Sequence, residues 1–367
     1  MKKILATVVL TAIVAGTAIL SAAATASDVS SQAAKDTGVT INVYNWGEYI
    51  SDGSDGLMDV NKEFEKRTGI KVNYQMFDTN EALYAKLKGS TESYDIIIPS
   101  DYMIDKMISE GMLEKLDFKN IPNYKYIGAD YQNLSYDKNN EYSVPYTWGT
   151  VGLIYNKDKV KETPDSWSVL WDEQYKGQIL MFDNQRDAMA LALLKMGEDL
   201  NTTDQVVLTK AAEELKTQKP LVQAYVMDQI FNKMSNNEAA LAPYYAGDAI
   251  TMMEDNDRLG YVVPKEGTNR FVDALCIPKG AKHKKEAEAY INFLCDPKVS
   301  AANCEAIGYS TPNTEALKLL DPELRSNPIA YPSTAVLEKT QVFTNLPSET
   351  NLLYDKLWSE VRSEERR

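Results

Sequence analysis

The chain has 367 residues, a formal charge of −14 at pH 7, a single histidine and three cysteines. An acidic balance of this size repels nucleic acid and anionic membranes and attracts cations. One histidine argues against a zinc site built from Cys and His, and the length makes two domains the default.

Met1, Lys2 and Lys3 precede an uncharged run rich in Ala, Val, Ile and Leu, from Ile4 to Leu20, and Ala24-Thr25-Ala26 follows. This pattern predicts a secretory signal peptide over 1–26, cleaved before Ser27. Loss of its two lysines takes the charge to −16. The run is too short and too rich in Ala, Thr and Gly for a transmembrane anchor. No other stretch reads as a span, and no cysteine lies near it to carry a lipid. The expectation is a soluble exported protein with a linker over 27–38. An odd cysteine count in such a chain leaves at least one free thiol. Cys276 sits in an apolar run and reads as a small buried hydrophobe, and a Cys295–Cys304 disulfide is open.

Val39–Tyr44 alternates like a strand, with Val39, Ile41 and Val43 on one face. It runs into Asn45, Trp46, Gly47, Glu48 and Tyr49, where two large aromatics flank a carboxylate just beyond a strand end. Ligands of α/β sheets collect beyond the carboxyl ends of strands, so this loop is the first candidate for a ligand contact. The spacing then predicts a helix over Asp55–Arg67 closed by Gly69, a strand over Ile70–Met76 and a helix opened by Thr79, Asn80 and Glu81. A buried strand over Tyr94–Ile98 follows, stopped by Pro99, and then a helix from Met103 to Glu110. Strands alternating with helices in this way imply an α/β fold with a mainly parallel sheet.

Pro145–Tyr155 breaks that rhythm: it is long and extended with no helix between its halves, as a strand crossing between domains would be. Beyond it the pattern predicts a helix over Ser166–Glu173, a strand over Gln178–Met181, and helices over Asp183–Gly197 and Asp204–Lys216. Asp183 is the expected helix cap there. Val222–Val226 and Ala239–Ala242 read as strands with a helix between them and another after Gly247. Arg270–Ile277 is a second crossing candidate. From Lys284 the chain reads as mostly helical.

Six segments, in order and at consistent spacing, carry a resemblance: Tyr44–Tyr49 (YNWGEY), Phe64–Val72 (FEKRTGIKV), Asp95–Ser100 (DIIIPS), Pro145–Gly149 (PYTWG), Pro264–Gly267 (PKEG) and Ile307–Asn313 (IGYSTPN). From about Val39 to Trp358 the chain resembles the bacterial spermidine/putrescine-binding proteins that deliver polyamines to ABC importers. The resemblance implies a two-lobe periplasmic-binding-protein fold of type II, an α/β fold whose crossing strands join the lobes around a ligand cleft. It implies one lobe over 39–147 plus 273–310 and the other over 148–272 plus 311–367. It also implies ligand contacts at Trp46, Gly47, Glu48, Tyr49, Ser100 and Tyr102. Further contacts fall on Asn184 and Asp187, on aromatic walls at Tyr245 and Phe271, on a central carboxylate at Asp273, and on Tyr309. Asp248 matches an acidic residue of the putrescine-preferring relatives. A contact near Gln341–Thr344 is left unassigned.

Two departures matter. Asn184 places an amide where spermidine binders have a carboxylate, and Tyr245 and Phe271 stand where they have Trp, the best cation–π partner. With Asp248, these tilt the expected ligand toward putrescine or a mixed preference. The implied protein is periplasmic and monomeric, without cofactor, resident metal or catalytic activity, and is partnered by polyamine and an ABC permease. Ferric-ion capture is the alternative, through adjacent Tyr244 and Tyr245. Iron would need further oxygen or imidazole ligands, and His283 lies in a basic turn. An exported hydrolase is the remaining alternative. Carboxylate pairs could serve glycoside hydrolysis, but no Gly-x-Ser-x-Gly elbow occurs and no histidine lies near a candidate serine.

Overall fold

The structure, a computed structural model, describes residues 34–363. The expected signal peptide and most of the expected linker fall outside the described residues. Among those described, no helix is long and apolar enough to cross a membrane.

Ten strands form one continuous ladder: β1 (Thr40–Trp46), β2 (Lys71–Phe77), β3 (Ile96–Ile97), β4 (Ser143–Asn156), β5 (Ile179–Phe182), β6 (Val222–Val226), β7 (Leu241–Tyr245), β8 (Leu259–Val262), β9 (Thr268–Cys276) and β10 (Thr340–Gln341). Their order is β2-β1-β3-β9-β4-β7-β5-β6, with β8 on β4 and β10 on β9. At either end the strands run parallel, β1 with β2 and β3, β5 with β6 and β7. The two middle strands, β4 and β9, are antiparallel to each other. β4 is buried almost throughout. Its first half pairs with β9 from Ser143 to Thr150 and its second half pairs with β7 from Val151 to Tyr155. Both crossing strands read from the sequence are thus single unbroken strands.

Apolar side chains separate into two large cores. One gathers Ile41, Val43, Phe64, Ile96, Val144, Leu275 and Ile291. The other gathers Leu153, Ile154, Phe182, Leu191, Leu208, Leu241 and Tyr354. A third, small cluster seats Ala316 and Leu320 on Ala301 and Cys304.

Several local expectations are corrected. The first helix covers only Val60–Thr68, because the Asp59 side chain caps it at Lys62 while Gly53, Asp55 and Gly56 all take positive φ. Leu57, expected on its apolar face, is exposed. Ser166–Glu173 forms two short 3-10 turns, Trp167–Trp171 and Glu173–Tyr175, in place of an α-helix, with Ser166 and Asp172 each capping one turn. Asn184, not Asp183, caps the helix Gln185–Met196, its side chain accepting from the Asp187 N–H. Asp183 pairs with Arg362 at the surface. All three cysteines are buried free thiols, and burial holds those of Cys295 and Cys304 up at about 12.

Gly308 packs its backbone against Gly247, the residue before Asp248. It ends the helix Pro297–Ile307 at φ 73°, and a Cβ there would lie 2.6 Å from the Gly247 carbonyl oxygen. Left-handed φ and a backbone clash act together, so Gly308→Ala is expected to destabilise by roughly 1–3 kcal/mol. The check is a lower urea midpoint at an unchanged m-value.

Candidate ligand-binding cleft

A cavity of about 670 Å³ opens where the carboxyl ends of β1, β2, β6 and β7 meet the crossing strand β9. It is lined by seven carboxylates and by no Lys or Arg. Every residue expected at the site lines it except Glu48.

β1 delivers the first wall. The Trp46 indole N–H donates to the Ile98 carbonyl at 2.8 Å and its ring leans on Phe77, which holds the indole in place. Gly47 follows with Asp228 so close that any side chain would strike its Oδ2. Glu48 turns left-handed, at φ 47°, and its side chain is exposed. This corrects its expected role: the turn lets Gly47 and Tyr49 both reach the cavity while the Glu48 carboxylate stays in solvent. Its negative charge helps to raise Asp228 and Asp248.

β9 supplies the centre. Alternation along the strand turns Phe271 and Asp273 toward the cavity and Arg270 and Val272 to the other side. Asp273 is 4% exposed. Its Oδ2 accepts from the Tyr49 hydroxyl at 2.6 Å; its Oδ1 is buried with no hydrogen bond of normal geometry, and the nearby Ser100 hydroxyl is the other donor that acts on the carboxyl. Tyr49 also hydrogen-bonds Thr147 and stands edge-on to Tyr309 at 4.7 Å. Burial pushes Asp273 up to about 6, and the Asp187 charge adds to the rise. Beneath it lies Asp101, which accepts the backbone N–H groups of Tyr102 and Val272. Burial pushes Asp101 up to about 8.

The two ends differ. At one end Asp248 is raised well above the usual carboxylate range, first by burial and then by Asp228, Glu48 and Asp273. Asp228 is pushed up to about 6 by burial, with Asp78 and Glu48 adding to it. At the other end the Tyr245 hydroxyl and the Asn184 amide both donate to Asp187 Oδ2, at 2.7 and 2.9 Å. The Tyr102 hydroxyl donates to Glu81 at 3.0 Å. Phe271 stands edge-on to Tyr245 at 5.5 Å and completes an aromatic wall. Ser100 is held by a reciprocal pair of bonds with the Asn80 amide, both 3.1 Å.

Several lining residues escaped the sequence reading: Asp78, Glu81, Asp101, Asp228 and Phe343, while Tyr244 entered it only as an alternative iron ligand. Asp78 and Asp228 stand just past the ends of β2 and β6, so the strand-end rule that singled out Trp46 reaches them too. Phe343 lies in the unassigned stretch near Gln341–Thr344. Nothing local marks Asp101, which the sequence presents as one polar residue at a helix start. Among the described residues no group of three or more His, Cys, Asp or Glu side chains could hold a metal ion. A pocket with uncompensated carboxylates along its length and aromatic faces between them is built for an elongated organic cation, since each carboxylate only accepts and each ring attracts positive charge.

Comparison with known proteins agrees with that chemistry. Residues 91–340 match the family model described as bacterial extracellular solute-binding protein. The chain is 37% identical over 347 residues to the spermidine/putrescine-binding periplasmic protein of Salmonella typhimurium, spanning 94% of this chain and 97% of that one. It is 31% identical to the putrescine-binding periplasmic protein SpuD of Pseudomonas aeruginosa, spanning 92% and 96%. Among solved structures it is similar to the spermidine/putrescine ABC transporter substrate-binding protein PotD of Streptococcus pneumoniae, at TM-score 0.74 and 36% identity, covering 88% of this chain and 98% of that one.

Asp273 yields a stability prediction. Its folded-state value of about 6 lies above the ordinary 3.8, so between those values the folded state keeps a proton that the unfolded chain has released. The stabilisation is complete below about pH 4 and is lost as pH rises through about 6. Asp273→Asn removes the buried charge and keeps a side-chain carbonyl oxygen that can accept from the Tyr49 hydroxyl. It is expected to stabilise the unliganded protein by on the order of 1–3 kcal/mol at pH 8 and by less at pH 5. Denaturant unfolding at the two pH values checks this.

Proposed function

Because the chain belongs to the bacterial extracellular solute-binding proteins and has their two-lobe fold, we propose that it captures polyamines, putrescine or spermidine, for an ABC importer. The observation that carries this reading is the buried Asp273 carboxyl, whose Oδ1 receives no hydrogen bond of normal geometry, facing a cavity with several carboxylates, aromatic walls and no basic side chain. An ammonium group has donors and no acceptors, so it fits such a carboxylate oxygen. A charge-assisted hydrogen bond nets about 1.5–3 kcal/mol, a desolvated cation–π contact about 2 and each buried methylene about 0.8.

Asp273 and Asp248 take the ammonium groups, with Asp228 and Asp187 flanking them. Tyr49, Tyr102, Tyr245, Phe271 and Tyr309 cover the methylenes, beside Trp46 and Gly47. Ser100 anchors the strand end under Asp273, with which it forms an isolated β-bridge.

The lobes of this reading are 39–147 plus 273–310 and 148–272 plus the C-terminal residues, with β4 and β9 as the hinge. One adjustment follows from packing: residues 311–325 go with the first lobe, because Ala316 and Leu320 pack on Ala301 and Cys304, and Gly128 donates to the Pro312 carbonyl. Closure of the lobes on a bound cation gives a permease two shapes to tell apart. Binding and release account for the arrangement without catalysis. The leader over 1–26 sends the protein to the periplasm, where it acts as a monomer.

Calorimetric titration of the protein, freed of ligand by partial unfolding, with putrescine and with spermidine tests the reading. Binding of either at micromolar Kd or tighter supports it, and no binding of both overturns it. Asp273→Asn is expected to weaken binding about 100-fold, the loss of one strong charge-assisted contact. Affinity is expected to rise from pH 5 to pH 8, because a cation binds the ionised carboxylates and Asp228 and Asp273 ionise near 6. A pH-independent Kd would contradict the assignment of those two groups.

A further inference from the structure

A second cavity lies on the opposite face of the crossing strands. The alternation that turns Phe271 and Asp273 into the cleft turns Arg270 and Val272 away from it, and these two line a pocket of about 750 Å³ together with Trp148. The register sets Trp148 opposite Val272 and Thr150 opposite Arg270, so Trp148 and Arg270 are diagonal neighbours on one face of the β4–β9 ladder. Tyr131 and Tyr331 flank the Trp148 ring at 5.9 and 6.0 Å between centroids. Leu134, Pro332 and Leu337 complete an apolar wall.

Two donors in this pocket lack acceptors. Trp148 is 5% exposed and its indole N–H is buried with no hydrogen bond. Trp46, Trp167 and Trp171, by contrast, each donate to a backbone carbonyl. Arg270 is half-buried, and among the described residues its side chain has no ion-pair or hydrogen-bond partner. Arg67, Arg186, Arg258, Arg325 and Arg362 all find a carboxylate or another oxygen. Asp130, the one carboxylate that lines the pocket, is exposed and forms no ion pair with Arg270. Donors left unmatched away from water are unfavourable. The cleft gathers carboxylates without basic side chains, and the pocket behind it gathers donors without acceptors.

We propose that this pocket is a second ligand site, for a monocarboxylate with an apolar or aromatic body. A guanidinium pairs with a carboxylate through two parallel hydrogen bonds, and the indole N–H adds a neutral donor in the same wall. The three rings and the aliphatic side chains cover the body of such a ligand. Arg270 is the only basic side chain in the lining, which suits a single negative charge, and Asp130 disfavours a second. The site stands independently of the polyamine reading, because it lies on the other face of β9 and takes a ligand of opposite charge.

The experiment is a ligand-observed NMR titration of wild-type protein, Arg270→Gln and Trp148→Phe with benzoate, and of wild-type protein with benzamide, its neutral counterpart. Benzoate is expected to bind wild-type protein with a Kd of about 1 mM or tighter, and benzamide at least about tenfold more weakly. Arg270→Gln is expected to weaken benzoate binding about tenfold or more, and Trp148→Phe, which keeps a ring and removes the donor, about threefold or more. Absence of benzoate binding up to about 10 mM overturns the proposal, as does benzamide bound as tightly as benzoate. An affinity for benzoate that is unchanged in either variant, once circular dichroism shows that variant folded, also overturns it. The comparison of benzoate with benzamide needs no variant, so a variant that fails to fold leaves the test decisive.

Discussion

Pairing of β4 with β9 is the constraint on which the rest of the molecule depends. The register sets Thr147 opposite Asp273 and Gly149 opposite Phe271. Because side chains alternate along a strand, one choice of register places both Phe271 and Asp273 in the cleft, and a slip of one residue would replace them with Arg270 and Val272. That slip would put a guanidinium where a cation is to bind. The pairing is secured from both sides: the second half of β4 is built into the ladder with β7 and β8, and β3 borders β9 at Cys276. Thr147 then fixes the Tyr49 hydroxyl that reaches Asp273. A backbone register is in this way converted into the orientation of one carboxylate.

That carboxylate belongs to a group the fold keeps at a cost. Removing a charged group from water without a counter-ion is unfavourable by several kcal/mol. The cleft concentrates such groups and lines them with no lysine or arginine. Burial is the first cause of the raised values of Asp101, Asp187, Asp228, Asp248 and Asp273 alike, and in most of them another carboxylate adds to it. Elsewhere the chain follows the ordinary rule: buried Asp137 accepts backbone N–H groups of Glu141, Tyr142 and Ser143, and buried Glu288 is paired with Lys284. The exception is therefore local, and a local departure from polar satisfaction marks a place shaped for a partner from outside the chain.

How much of this was legible in the sequence depended on whether the signal was local. The crossing strands were readable because fourteen and nine residues of extended chain, each uninterrupted by a helix, are an unusual pattern. The Trp46–Tyr49 loop was readable because a strand ends there and the residues that follow are wrong for a core. Asp273, within an apolar strand, became visible through the family resemblance. Asp101 was not, because its importance lies in what packs on it, the Val272 N–H and the floor of the cleft, and both are distant in the chain. Glu48 misled for the opposite reason: its neighbours in sequence both line the cavity, and a single left-handed residue turns it out. The helix expected from Asp55 failed similarly, since an apolar Leu57 at the right spacing says nothing of the glycine turns that uncouple it from Val60.

Tyrosine is the residue that makes the cleft workable. Each buried carboxylate needs some donor in the absence of ligand, and a lysine would supply one together with a positive charge that shuts the site to cations. A phenol supplies the donor without the charge. Tyr49 does so for Asp273, Tyr245 for Asp187 and Tyr102 for Glu81. Burial raises all three phenols well above their ordinary range, so they remain protonated donors wherever the carboxylates are ionised. Their rings meanwhile present the apolar and π surface that a methylene chain and its ammonium groups prefer. The one cation the far end tolerates, Arg186, is separated from the cleft by aromatic rings, Tyr102 and Phe343 among them, both of which line the cavity. The same walls that receive a ligand's methylenes thus also hold the protein's own positive charge, which itself does not line the cavity.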